Sequence, residues 1–146
     1  MRNFPSLSFP PLAVAVVLSV CLVAPPVGAT TDTERAVQGL VNGARIEAGL
    51  RPLPLSDRLS RIARRHSRQM AVQRTLFHSC LPCVIGGDWR KLSENVGFGP
   101  DYEGVHQRLM DSRPHRSNIL GRGYRRVGVG VVRRGGLVWV TEIFFG

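Results

Sequence analysis

Tyr124-Arg125-Arg126-Val127-Gly128-Val129-Gly130-Val131-Val132 is rich in valine and repeats with a period of two, the pattern of a strand. Arg133-Arg134-Gly135-Gly136 follows as a turn, and Leu137-Val138-Trp139-Val140-Thr141-Glu142-Ile143-Phe144-Phe145 returns as a second strand. Residues 124–145 therefore read as an antiparallel hairpin. Gly128 and Gly130 weaken a strand by themselves, so their presence implies that something packs closely against that backbone. The segments upstream read as helices, and helices laid on a small sheet make a layered α+β domain.

Those helices are three. From Thr33 onward, Val37, Leu40, Val41, Ala44 and Ala48 fall at helical spacing, with Thr33 or Asp32 as cap and Gly49 and Pro52 as the stop. A second helix starts after Ser56 and carries Leu59, Ile62, Ala63, His66, Met70 and Ala71 on one stripe. Its other face holds Arg58, Arg61, Arg64, Arg65 and Arg68, a basic surface. A third helix runs from about Asp101 to Ser112 with Val105 and Leu109 facing inward. His66, on the apolar stripe, reads as a core histidine and His106 as a surface one.

The first 29 residues read as an export signal: Arg2, an apolar run from about Leu12 to Val23, then Val27-Gly28-Ala29 before Thr30. Secretion is the expected outcome, with lipid attachment at Cys21 the lesser alternative, because Val20 stands where a small residue is expected. Residues 30–146 then form a single domain with no transmembrane span. The chain carries 20 Lys+Arg against 10 Asp+Glu, a net charge of +10, and Lys91 is its one lysine. The arginines are scattered, without interleaved aromatics or a nucleic-acid motif. The charge thus points to anionic envelope polymers or lipid rather than to nucleic acid.

The residues able to carry chemistry are His78, Glu94 and His115, two imidazoles and a carboxylate. Zinc would accept such a set with one position open for water. No His-x-x-x-His pair on one helix supports it. The alternative is structural: Glu94 braces loop amides and His115 bonds backbone at a helix end. Ser79 and Ser112 lie near histidines but outside any Gly-x-Ser-x-Gly elbow. Cys80 and Cys83 bracket Leu81-Pro82. A disulfide is the default in an exported chain, though it would close a very short loop. A redox pair would need the first cysteine at a helix start, and Val84-Ile85-Gly86-Gly87 is a poor helix. Thiolate binding of zinc with His78, or free thiols, remain open.

Leu40-Val41-Asn42 with Arg45, Gly49-Leu50-Arg51-Pro52-Leu53, and the run from Ala63 to Ala71 together resemble the first two helices of the CAP superfamily. This is the cysteine-rich secretory, antigen 5 and pathogenesis-related-1 group, and the likeness is to its short bacterial form. Phe77-His78-Ser79, Ser93-Glu94-Asn95-Val96-Gly97, Met110 to Leu120, and Val127 to Phe144 continue the resemblance in order. The resemblance implies a three-layer α-β-α sandwich and a cleft faced by His78 and Glu94, with His115 as a further signature of bacterial members. It also implies departures. Ser112 stands near the place of a second glutamate, Trp139 near that of a strand histidine, Leu109 replaces a frequent tryptophan and Glu142 a frequent glutamine. The expectation is a secreted, non-catalytic binding module for lipid, envelope polymer or a protein partner, needing no cofactor. The rival is a zinc hydrolase or protease on His78, Glu94 and His115. A third role is attachment to anionic polymers through the arginine-rich second helix.

Overall fold

A computed structural model describes residues 30–146. The expected export signal, with Cys21 in it, lies outside them. The hairpin is present as β2 (Arg126–Arg134) and β3 (Leu137–Phe145), paired antiparallel from Arg126↔Phe145 to Arg134↔Leu137. Gly135 and Gly136 make its turn at φ 60° and 74°, the left-handed pair that a tight hairpin turn needs. A third strand, β1 (Leu92–Gly99), pairs with the other side of β3, so the spatial order is β1-β3-β2. Alternation does not reveal β1. Its polar residues and glycines interrupt the apolar pattern, because polar partners and a close helix satisfy them instead.

Helix α2 (Asp57–Gln73) covers one face of the sheet. It is joined there by a single short turn of helix, α3 (Leu81–Ile85). The opposite face is covered by α1 (Asp32–Glu47), α4 (Tyr102–Asp111) and α5 (Arg113–Ile119). The result is the expected α-β-α sandwich. Its larger core joins Val37, Val41, Val105 and Leu109 to Val127, Val129, Val138, Val140 and Phe144. On the α2 side, Leu59, Ile62 and Ala63 meet Ile143, while Met70 and Ala71 meet Val96 and Trp139.

The two glycines of β2 explain how closely α2 sits. A Cβ on Gly128 would lie 2.2 Å from Leu59 Cβ, and one on Gly130 would lie 2.1 Å from the Arg64 backbone nitrogen. The helix answers with small side chains, Ser60, Ala63 and Ser67, all fully buried. The Ser67 hydroxyl donates to the Gly130 carbonyl at 2.9 Å, and Ser60 Oγ accepts from Val129 N–H at 3.1 Å. Backbone rests almost on backbone, stitched by hydroxyls.

Local details depart from the sequence reading. The cap of α1 is Thr31, not Thr33 or Asp32: Thr31 and Glu34 form a reciprocal capping box. Glu34 is fully buried and accepts from Arg64 Nε at 2.8 Å, so Arg64 leaves the basic surface and pairs inward. Arg58, Arg61, Arg65 and Arg68 stay exposed, and Arg58 also donates to the Ile85 carbonyl. α3 forms despite a weak local sequence because Leu81 and Ile85 are buried against α2. Ser112 both ends α4 and starts α5, so His115 sits on a helix of its own. His106 is half-buried rather than a surface residue, and burial lowers the pKa of its imidazole. Among the described residues no helix is long and apolar enough to cross a membrane.

Candidate functional site

Strand β1 sends alternate side chains to opposite faces, and this divides the chemistry. Glu94 points to the α2 face, where its side chain is only 3% exposed. Its Oε1 accepts from His78 Nδ1 and from the Ser79 backbone N–H, both at 2.9 Å, and its Oε2 accepts from the Ser79 hydroxyl at 2.6 Å. Both carboxylate oxygens are thereby engaged by charge-assisted bonds, the condition under which a carboxylate can be buried. His66 Nε2 lies 3.9 Å from the same Oε1. That nitrogen donates to the Phe77 carbonyl at 2.8 Å, and the ring meets Phe77 edge-on. His66 is thus a satisfied core residue that fixes the segment leading into His78. The His78 side chain itself remains 60% exposed.

Asn95 points to the opposite face and organises a second network. Its amide donates to the His115 carbonyl at 3.2 Å and to Glu142 Oε2 at 3.1 Å, while its Oδ1 accepts from Asn118 Nδ2 at 2.9 Å. Glu142 is fully buried, and its Oε1 has no hydrogen-bond partner among the described residues. Burial pushes its carboxyl up to about 7, against a smaller downward pull from the Asn95 bond. The His115 ring is held by Ser112 Oγ at 2.8 Å. Burial, and then electrostatic repulsion from the neighbouring His78, lower the pKa of His115.

The structure thus brings His78 and Glu94 into hydrogen-bond contact, while His115, near enough for His78 to be felt electrostatically, bonds to Ser112 instead. His78 and Glu94 line a depression of about 330 Å³ with Ser79, Cys80, Leu81, Trp89 and Leu92. His115 lines a different cleft of about 470 Å³, walled by Leu76, Val96, Phe98, Val105, Leu109 and Leu137, with Arg108 and Ser112. Phe98 forms its exposed lip and stacks on Trp139 at 4.8 Å between ring centres. Trp139 is buried beneath it. Arg108 at the rim donates to the Phe98 carbonyl at 2.9 Å.

The carboxylate of Glu94 is not free to ligate a divalent metal. From β1 it spends both oxygens on His78 and Ser79, and His115 turns its Nδ1 to Ser112, so the Nε2 atoms of the two histidines are the remaining nitrogen donors. Among the described residues no group of three or more His, Cys, Asp or Glu is placed to hold a metal ion. Cys80 and Cys83 form a disulfide. Sequence reasoning weighed Ser79 only as a nucleophile and Glu142 only as a departure from the family pattern, and gave Asn95 and Asn118 no role; here all four are contributors. The one available signal was the pairing of Asn95 with Glu142 across two strands, and that needs β1 to be known.

Comparison with known proteins gives consistent results. The family model for the cysteine-rich secretory protein family, CAP, matches residues 38–144. The protein YkwD of Bacillus subtilis strain 168 is 31% identical over 122 residues, covering 77% of this chain and 47% of YkwD. This chain therefore spans about half the length of that relative. An extracellular SCP-domain protein from Bacillus anthracis superposes with a TM-score of 0.68 at 22% identity, covering 77% of this chain and 40% of that one. An outer surface protein of Borrelia burgdorferi gives 0.69 at 16% identity, covering 81% and 97% of the two chains.

Proposed function

The chain belongs to the cysteine-rich secretory protein (CAP) family, and from that premise we propose that it is an exported, non-catalytic binding module. Its ligand is an amphiphile with an acyl chain and an anionic head. The observation that carries this reading is the cleft of about 470 Å³ beside β1, a size within the range of small-molecule sites. Its walls are apolar, Arg108 stands at its rim, and the whole chain carries a net charge of +10. An acyl chain would lie along Leu76, Phe98 and Leu137, and the head would meet Arg108. The His78–Glu94 pair serves this seat as scaffold, because Glu94 holds the Phe77–Ser79 segment that follows Leu76 in the wall. Export through residues 1–29 belongs to the same proposal. The zinc-hydrolase alternative on His78, Glu94 and His115 has no assembled donor set among the described residues to favour it.

Titration of the full chain with a fluorescent long-chain fatty acid at fixed ionic strength tests the proposal. Saturable binding is expected, weakened about tenfold in Arg108→Gln and abolished in Leu76→Glu, which sets a negative charge in the exposed wall. Absence of saturable binding by the unaltered protein overturns the reading, as does equal binding by Leu76→Glu.

A further inference from the structure

We propose that Cys80–Cys83 is an exchange-competent disulfide that takes an incoming thiolate, a redox site distinct from the acyl cleft. Four observations support it. Cys80 and Cys83 are both exposed, whereas Leu81 and Ile85 of the same short helix are buried. The sulfurs therefore lie on the solvent side of α3. The helix is held without them: Leu81 and Ile85 pack against Leu59, Ile62 and Ile143, and Arg58 bonds the Ile85 carbonyl. The bridge also joins residues only three apart, so it removes little freedom from the unfolded chain. A structural duty is thus slight. The third observation is access: Cys80 opens into the depression of about 330 Å³ that His78 and the exposed Trp89 also line, and Cys83 does not. Trp89 offers an apolar wall for the carbon skeleton behind an approaching sulfur.

The fourth is connection. Ser79, the residue before Cys80, holds Glu94 through both its backbone N–H and its hydroxyl. The bridge thus begins one residue from the contact that braces β1.

The step is simple exchange. A thiolate attacks Cys80 Sγ, the bond to Cys83 breaks, and Cys83 leaves as a thiolate with the electron pair. A mixed disulfide now joins Cys80 to the incoming group. A second thiolate attacks the sulfur of that group and expels the Cys80 thiolate. Two thiols have been oxidised to one disulfide, and the Cys80–Cys83 pair has gained two electrons. A disulfide-bearing partner reverses the sequence.

The test equilibrates the full chain in glutathione buffers of graded ratio, quenches with acid, alkylates, and maps peptides so that Cys21 is scored separately. Circular dichroism follows the fold in parallel. The expected result is half-reduction of the pair within the buffered range while the native spectrum persists. Cys83→Ser should accumulate a glutathione adduct on Cys80. A cysteine peptide with apolar flanks, used in place of glutathione, distinguishes the source of the thiolate. Exchange at least tenfold faster than with glutathione identifies a polypeptide partner, and equal rates identify a small thiol. A pair that stays oxidised in the most reducing buffer until denaturant unfolds the chain overturns the proposal, whatever the variant does.

Discussion

Glu94 shows how far one buried carboxylate can govern a loop. It makes three hydrogen bonds, two of them to Ser79 and one to the exposed His78. Those partners should differ in their contribution. Ser79→Ala leaves Glu94 Oε2 without its donor inside the protein and should cost about 1.5–3 kcal/mol in urea unfolding. His78→Ala removes a largely solvated partner and should cost under about 1 kcal/mol. Equal losses would show that the imidazole, not the serine, is the brace. Glu142 gives a second prediction at this scale. Its folded carboxyl is raised to about 7, so the folded state holds a proton that the unfolded state releases at lower pH. The associated stability is present below the ordinary carboxylate range and is lost as pH rises to about 7, a change on the order of 3 kcal/mol. Glu142→Gln does not titrate. Its stability should overtake that of the parent above pH 7, with the advantage shrinking toward pH 5. His106 and His115 act in the opposite sense, because their pKa values are lowered on folding; each loses stability as pH falls below the ordinary histidine range.

At the scale of elements, the contact between α2 and β2 sets the spacing of the sandwich. A methyl group at Gly130 would strike the helix backbone, which cannot give way as a flexible side chain would. Gly130→Ala should therefore destabilise by about 3 kcal/mol, read as a drop in the urea midpoint at unchanged slope. The glycines of β2 were legible in the sequence because a strand that gives up its side chains must have a close neighbour. The elements missed by the sequence reading were those whose partners lie far along the chain. β1 owes its form to β3 and to Asn118, and α3 to Leu59, Ile62 and Ile143. The inward turn of Arg64 depends likewise on Glu34, thirty residues away. Local propensity cannot report such contacts. Arg45 is a further example: it is buried, and donates to the Ile119 and Gly121 carbonyls at 2.7 and 2.9 Å, tying α1 to the end of α5.

For the whole molecule, the fold was legible from the hairpin and the ordered motifs, whereas the site was legible only as a set of names. His78 and Glu94 meet, but His115 belongs to another hollow, since β1 separates the two networks. The charge distribution carries the last prediction. Arg58, Arg61, Arg65 and Arg68 stay exposed along α2, on a chain of net charge +10. Retention on an anionic polymer should fall steeply between low and physiological salt. Glutamine at Arg61, Arg65 and Arg68 together should flatten that dependence, and salt-insensitive retention would remove the polymer from consideration. The strand order has a consequence of a different kind, in time. β1 and β2 do not touch; each pairs only with β3, which is the last of the three to leave the ribosome. Until β3 emerges, α2 can rest on β2 and α4 on β1, but no strand pairing joins β1 to β2. Completion of the sheet must therefore wait for synthesis to reach residue 145, and until then its two outer strands have no common partner.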